Sequence, residues 1–305
     1  MVTAKPWPVE AIVRLVLSVI ICAYTGMLLF SVHYYATAAA KVSSKLFFPL
    51  AAVALFCLVA TLVLIARPWP PEAISRRLAA LVACAYSGLL LGAWVQRFSG
   101  VEAAESSIGR MVVATLGFQG AGLILIGRFL RERQISYAEA FGFANRWRRA
   151  VLAGVLGALV FLPVGWGLQQ VSALVITHLP HLGLEPKEQL PVQALRVSMS
   201  WFGRLSLGAT AILLAPVAEE MMFRGILYPM IKQAGYRRLA LWGTSLLFAL
   251  VHLNLATFVP LLALALLLTA LYEWTNNLLA PILAHLLFNA LNFATLLILQ
   301  RYGGT

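Results

Sequence analysis

Charged residues are scarce in this sequence. They make up 11% of the 305 residues, whereas a soluble globular domain carries about a quarter. Hydrophobic residues make up 61%, compared with about 45–50% in soluble domains. The composition excludes an ordinary soluble domain and predicts a chain whose main solvent is lipid.

Cysteine is also scarce, with three residues in the chain. Cys22, Cys57 and Cys84 each lie inside an apolar run, and their spacing does not match that of metal ligands. Cysteines in such surroundings behave as small, unreactive hydrophobic residues. We therefore expect three free thiols in the core.

Long apolar runs recur along the whole chain, and a transmembrane helix needs roughly 20 such residues. The candidate spans are 9–31, 46–66, 78–98, 110–128, 149–172, 204–230, 239–254, 257–273 and 280–299. The run at 257–273 is short and ends among polar residues, so a re-entrant or tilted segment is an alternative there. The sequence predicts an all-α protein, a polytopic transmembrane helical bundle of eight or nine spans.

Basic residues give the chain a net charge of +12, but they do not form a stripe on one soluble domain. They lie in alternate loops, and they are Arg67, Arg76, Arg77, Arg128, Arg131, Arg133, Arg146, Arg148, Arg149, Lys232, Arg237 and Arg238. Because cytoplasmic loops are rich in Lys and Arg, this pattern predicts a cytoplasmic amino terminus and no nucleic-acid partner. The first run lacks a small-residue cleavage site, so we expect a retained helix and not a signal peptide.

An internal repeat occupies the amino-terminal part. Residues 5–32 align without a gap on residues 67–94, and both copies open with Pro-Trp-Pro before two spans. Repeats are common in transporters, but these spans contain little polar chemistry, so we favour an accessory four-span module at 1–128. Residues 129–149 have a helix-compatible pattern of basic, aromatic and small residues and are expected to lie on the cytoplasmic surface. They begin a second module at 129–305.

Ionisable residues inside hydrocarbon are costly unless they are paired or line a cavity, so each is a functional candidate. The second module concentrates them. Glu220 and Arg224 are four residues apart with the acid first, the spacing of an ion pair on one helix face. Glu219 lies about 100° around the helix from Glu220, so it is free to point into a cavity. A desolvated carboxyl group there can act as a general base.

Further polar residues lie on later apolar runs. His252 follows Phe248 by about one helical turn. In the last run, His285, Asn289 and Asn292 have the spacing that places them on one stripe. A polar stripe in a membrane helix must face protein or water.

Depth in the membrane relates two of these clusters. Glu219 and His252 each lie about 20 Å along their helices from the basic loop between them, so the two side chains can meet. Taken singly, a glutamate pair beside an arginine is usually a structural ion pair, and an interior histidine is usually a packing residue. Three clusters on three different spans, two of them at matching depth, indicate catalysis.

The three clusters resemble the motifs of the CAAX-protease and bacteriocin-processing family of intramembrane endopeptidases (CAAX prenyl protease 2-like or Abi-like). Those motifs are Glu-Glu-x-x-x-Arg, Phe-x-x-x-His and His-x-x-x-Asn. In this sequence they are Glu219-Glu220 with Arg224, Phe248 with His252, and His285 with Asn289. The resemblance covers about residues 130–300 and leaves the amino-terminal spans unexplained.

The resemblance implies that Glu219 and His252 activate water. It also implies that His285 and Asn289 stabilise the oxyanion. Such roles suit hydrolysis, which needs a base for water and donors for the developing negative charge. The supporting residues are Glu220, Arg224, Phe248 and Asn292.

No cofactor is expected, because the resemblance implies a glutamate mechanism without metal. No His-Glu-x-x-His helix occurs in the sequence. A zinc metalloprotease stays open as an alternative, since Glu219, His252 and His285 would suit a zinc site of two histidines and one carboxylate.

The expected partners are membrane lipid and a peptide or protein substrate, which can be lipidated if the resemblance extends to the substrate. The expected location is the plasma (inner) membrane of a prokaryote. Two other functions stay open. One is a proton-coupled transporter whose glutamates and histidines form a relay, and the other is a non-catalytic bacteriocin-immunity membrane protein.

Overall fold

A computed structural model describes the structure of most of the second module. The described residues are 10–17, 119–178, 189, 192–193, 195, 201–252 and 254–302. The chain divides into two compact units, Pro8–Leu125 and Ile126–Thr305 with Met1–Trp7. Most of the first four predicted spans, the repeat and the three cysteines lie outside the described residues. The predicted modules at 1–128 and 129–305 stay a prediction.

Helices make up almost all of the described chain from residue 121 onward. They are α1 Ala121–Glu132, α2 Tyr137–Phe141, α3 Trp147–Thr177, α4 Trp201–Gln233, α5 Arg237–Leu250, α6 Leu255–Thr275 and α7 Leu279–Tyr302. No residue that the structure describes is in a strand. The predicted all-α fold is therefore confirmed for this part of the chain.

Four of these helices, α3, α4, α6 and α7, are long and apolar enough to cross a membrane. They correspond to the predicted spans at 149–172, 204–230, 257–273 and 280–299. Helix α6 runs without interruption for 21 residues. It therefore has the length of a full crossing, about 30 Å.

Helix α5 is shorter than the sequence predicts. The apolar run at 239–254 gives a helix of 14 residues, about 21 Å long at 1.5 Å per residue. The polypeptide leaves the helical path after Leu250, just before His252. The predicted total of eight or nine spans is not confirmed.

Large apolar side chains cover the outer surface of the helices. Exposed examples are Leu152, Leu156, Leu159, Val160, Val164, Leu239, Trp242, Leu250, Ile298 and Leu299. Buried polar or charged residues include Glu220, Arg224, Thr269, Asn277 and His285. Large apolar side chains on the outer surface suit a lipid environment, in which polar groups must be satisfied inside the bundle. The chain is an integral membrane protein.

Helix α3 packs against both α6 and α7. The approach to α7 is close, because a Cβ atom built on Gly154 would lie 2.6 Å from the carbonyl oxygen of Ala280. Only glycine fits there without a shift of the backbone. Phe161, Leu264 and Leu268 extend the same core between the helices.

The loop between α6 and α7 is tied to the segment between α2 and α3. Asn277 Nδ2 donates to the carbonyl oxygens of Asn145 at 2.6 Å and Phe143 at 3.3 Å. The backbone N–H of Leu278 donates to Phe141 O at 2.9 Å. These bonds fix the beginning of α7, which carries His285 less than two turns further along.

Candidate active site

Helix α4, which carries both glutamates, is not a regular α-helix. Ala209–Leu214 and Met221–Leu227 are π-helical, and the α-helical segment Ala215–Glu220 lies between them. Each π-helical segment ends two residues before a proline, Pro216 or Pro229. A proline inside a helix has no N–H to donate and its ring clashes with the carbonyl four residues earlier. A wider π-helical turn accommodates it.

Glu220 and Arg224 form the ion pair that their spacing predicts. Arg224 Nη1 donates to Glu220 Oε1 at 2.8 Å, and the side chains are 1% and 0% exposed. Arg224 Nη2 donates to the carbonyl of Ala265 at 3.0 Å, and Nε donates to the hydroxyl of Thr269 at 3.4 Å. The guanidinium therefore neutralises Glu220 and fastens α4 to α6, which compensates the burial of two charges.

His285 on α7 lies between the two glutamates. Its Nδ1 is 2.9 Å from Glu220 Oε1, and its Nε2 is 3.9 Å from Glu219 Oε2. The carboxylate at Nδ1 holds a proton on that nitrogen and so orients the ring. Nε2 then faces Glu219 at a separation that lets one water molecule lie within about 2.8 Å of both atoms.

The two glutamates differ in their access to water. The side chain of Glu220 is fully buried, whereas that of Glu219 is 17% exposed. Glu220 is engaged by both Arg224 and His285 through one oxygen. Glu219 is therefore the carboxyl group that a water molecule or a substrate can reach.

Phe248 on α5 packs against the other residues of the candidate site. Its ring centroid is 4.9 Å from that of His252, 5.7 Å from that of His285 and 5.3 Å from that of Phe223. The guanidinium carbon of Arg224 lies 4.6 Å from the same centroid. Since Phe248 is completely buried, its phenyl ring is a fixed wall against which both imidazoles pack.

His252 has a defined tautomer. Its Nδ1 lies 2.7 Å from the carbonyl oxygen of Phe248, and a carbonyl can only accept, so Nδ1 carries the proton. In the neutral imidazole, Nε2 is then the nitrogen with the lone pair. This bond and the packing of the two rings hold the imidazole against Phe248. Direct pairing of His252 with Glu219 stays a prediction.

The predicted polar stripe on α7 divides among different partners. His285 reaches the glutamates, whereas Asn289 Nδ2 donates to the carbonyl oxygen of Ala211 at 2.9 Å. Asn292 Oδ1 accepts from the indole N–H of Trp166 at 2.8 Å, and its Nδ2 donates to Phe288 O. The described contacts therefore connect Asn289 to α4 and Asn292 to α3.

In the part of the chain that the structure describes, no group of three or more His, Cys, Asp or Glu side chains is arranged to hold a metal ion. His285 Nδ1 is hydrogen-bonded to Glu220, so Nε2 is the ring nitrogen that faces any further ligand. The choice between a glutamate and a metal mechanism nevertheless stays a prediction.

Three contributors to the site are missing from the sequence prediction. Thr269 and Phe223 contact Arg224 and Phe248 respectively, and Pro216 interrupts the hydrogen bonding of α4. A proline inside an apolar span is a signal of a distorted helix. A threonine or phenylalanine inside a span carries no such signal.

Comparison with known proteins gives matches to part of the chain. Residues 200–291 match the family model described as type II CAAX prenyl endopeptidase Rce1-like, and this segment contains all three motifs. The uncharacterized protein YpbD of Bacillus subtilis (strain 168) is 39% identical over 82 residues, which are 26% of this chain and 39% of YpbD. The chain thus aligns with well under half of that relative's length. No solved structure matches the chain.

The family match agrees with the helical architecture and with the order of the motifs on α4, α5 and α7. It supports an intramembrane protease in general terms. Residues 200–291 therefore match a type II CAAX prenyl endopeptidase Rce1-like domain, which is a domain of the CAAX-protease and bacteriocin-processing family.

Proposed function

We propose that the chain is an intramembrane endopeptidase of the glutamate type, which hydrolyses peptide bonds with a water molecule activated by Glu219 and His252. The observation that carries this proposal is the position of His285, which contacts a buried glutamate through Nδ1 and a partly exposed glutamate through Nε2. A structural ion pair needs only Glu220 and Arg224. The second carboxyl group beside a histidine adds a group that can exchange protons with water.

In the proposed reaction, Glu219 accepts a proton from water while the water oxygen bonds to the carbonyl carbon of the substrate. His252 Nε2 accepts a hydrogen bond from the same water and orients it. The carbonyl oxygen becomes the oxyanion of a tetrahedral intermediate. Glu219 then returns the proton to the leaving nitrogen as the C–N bond breaks, and the products are a carboxylic acid and an amine.

Two donors are proposed for the oxyanion. His285, protonated at both nitrogens, donates Nδ1–H to Glu220 and directs Nε2–H at the oxyanion. Asn289 has two N–H bonds, of which one is directed at Ala211 and the other serves the oxyanion. Such donors act strongly in a site with little water, where removal of one costs about 10²–10³ in kcat.

These steps need no metal ion, and we propose that the protein has no cofactor. The substrate class is a peptide or protein that reaches the site from the membrane, and a lipidated peptide is the first candidate because the matched family is described as a prenyl endopeptidase. We further propose the inner membrane of a prokaryote as the location, with a cytoplasmic amino terminus. Reporter fusions at residue 1 and in the loop at 234–236 test that orientation.

The function is tested with purified protein in detergent and a library of quenched fluorescent peptides, with and without a prenylated cysteine. The active-site variant is Glu219→Gln, which keeps the size of the side chain and removes the base. The matched control is Glu132→Gln, because Glu132 is an exposed glutamate on α1 that pairs with Arg128. We expect cleavage by the wild type and the control and none by Glu219→Gln.

Two outcomes contradict the proposal. Cleavage by Glu219→Gln at most of the wild-type rate would remove Glu219 from the role of base. If the wild type cleaves no peptide but reconstituted vesicles show proton-coupled uptake that Glu219→Gln abolishes, the chain is a transporter instead.

A further inference from the structure

The carbonyl oxygen of Ala211 is deprived of both donors that a helix offers. In an α-helix it would accept from the N–H of Ala215, but that N–H donates to Thr210 O, five residues back. In the π-helical pattern its donor would be residue 216. That residue is Pro216, which has no N–H.

Asn289 supplies the missing donor from another helix. Its Nδ2 lies 2.9 Å from Ala211 O, in a partly buried contact between α7 and α4. A backbone carbonyl that is buried without a donor is costly, so this bond stabilises the π-helical segment Ala209–Leu214 specifically. In a regular α-helix the same carbonyl would already have a backbone partner.

The π-helical segment determines where the glutamates point. It ends at Leu214, five residues before Glu219. A π-helical turn holds one residue more than an α-helical turn, which rotates everything that follows by about 100° relative to a regular helix. The same angle separates Glu219 from Glu220 on the helix. A return to α-helical bonding would therefore turn Glu219 away from His285 Nε2.

We infer that Asn289 is a positioning residue: its bond to Ala211, made possible by Pro216, keeps α4 in the π-helical register that presents Glu219 to His285. The expected effect on kcat rests on the proposed function. The expected effect on the π-helical register of α4 does not. It does not require a contact between Asn289 and the oxyanion. It predicts that the effects of substitutions at Asn289 and Pro216 depend on each other, which donation to the oxyanion alone does not predict.

The experiment is a double-mutant cycle between Asn289 and Pro216, read by kcat, by KM and by the unfolding temperature in detergent. Asn289→Ala leaves the carbonyl without a donor. Misplacement of Glu219 is expected to lower kcat by about 100-fold, in addition to the loss of a donor to the oxyanion, with little change in KM. Pro216→Ala restores a backbone N–H that can donate to Ala211 O. We expect Asn289→Ala/Pro216→Ala to regain most of the unfolding temperature lost in Asn289→Ala. It should also regain the part of the kcat lost through misplacement of Glu219, but not the part lost with the donor to the oxyanion.

Two controls test the specificity of this rescue. Asn289→Ala/Pro260→Ala removes a proline from the interior of α6 and should not restore Asn289→Ala. Asn292→Ala/Pro216→Ala should recover nothing relative to Asn292→Ala, because Asn292 bonds to Trp166 and Phe288. Asn289→Asp, which keeps the size but lacks the N–H bonds in its ionised form, should behave as Asn289→Ala does and be rescued in the same way.

The inference is overturned if the double mutant is as impaired as Asn289→Ala in both readouts while the wild type cleaves peptides. That outcome would leave the proposed function intact and assign Asn289 to the oxyanion alone. If the wild type cleaves no peptide, the unfolding temperatures decide by themselves. If Pro216→Ala is itself inactive, the unfolding temperatures again decide. A double mutant that is more stable than Asn289→Ala supports the inference, and a double mutant whose loss of unfolding temperature is the sum of the two single losses contradicts it.

Discussion

Replacement of Glu220 by alanine is expected to destabilise the protein far more than replacement of Glu219. Both substitutions remove a carboxylate from the same helix, but their surroundings differ. Glu220 is 0% exposed and its Oε1 accepts from Arg224 and contacts His285 Nδ1. Glu219 is 17% exposed, and its contact with His285 is 3.9 Å long.

The magnitude follows from what each substitution leaves behind. Breaking a buried ion pair costs about 3–5 kcal/mol, because one charge remains buried without its partner. Arg224 keeps its bonds to Ala265 and Thr269, which favours the lower end, about 3 kcal/mol. The lost acceptor for His285 adds about 1 kcal/mol. For Glu219→Ala we expect no more than about 1 kcal/mol, as for an ionised group that is partly exposed to solvent.

The assay is thermal unfolding of purified variants in one detergent. A loss of about 1 kcal/mol corresponds to about 2–4 °C for a unit of this size. Glu220→Ala should therefore unfold about 10 °C below the wild type, and Glu219→Ala within about 3 °C. Glu220→Gln keeps an acceptor and loses the charge, so it should fall between them.

Glu132→Ala serves as the control for loss of an exposed glutamate, since its partner Arg128 is also exposed. Unfolding temperatures for Glu219→Ala and Glu220→Ala that agree within the error of the measurement would refute the division of roles between the two glutamates. So would a Glu220→Ala variant as stable as Glu132→Ala.

Three further outcomes are expected. His252→Ala should abolish peptide cleavage while the unfolding temperature stays near that of the wild type, and a variant with more than a tenth of the wild-type rate would contradict its role on water. Elemental analysis should find far less than one zinc per chain in active protein; one zinc per chain, lost together with activity in His252→Ala and His285→Ala, would reclassify the chain as a metalloprotease. Gly154→Ala should lower the unfolding temperature, because its Cβ would lie 2.6 Å from a backbone oxygen of α7. Gly167→Ala on the same helix, where a Cβ meets nothing within 4 Å, should leave the unfolding temperature unchanged or raise it. Equal effects of the two substitutions would argue against close packing of α3 on α7.

Several features of this protein could be predicted from the sequence because they depend on local spacing or on composition. The apolar runs predict α3, α4, α6 and α7, since length and hydropathy suffice to define a membrane helix. The Glu220–Arg224 pair follows from a separation of four residues within one helix. The resemblance to the family follows from three motifs in order, and the match at 200–291 agrees with it.

The length of α5 and the partners of the polar stripe required the tertiary structure. An apolar run at 239–254 indicates burial in lipid but not where the helix ends, and α5 ends at Leu250. A helical wheel places His285 and Asn289 on one face of α7 but does not say which helix faces them. In the structure one reaches Glu220 and the other reaches Ala211.

What the sequence determined by itself is the membrane class of the chain, the order of its helices in this part and the chemistry available on α4, α5 and α7. What only the tertiary structure decided is which neighbouring helix each polar side chain faces. A wheel assumes about 3.6 residues per turn throughout, and the two π-helical segments of α4 depart from that value. The contacts of His285 with both glutamates depend on those segments and on packing between helices far apart in the chain. Neither can be obtained from spacing along one helix.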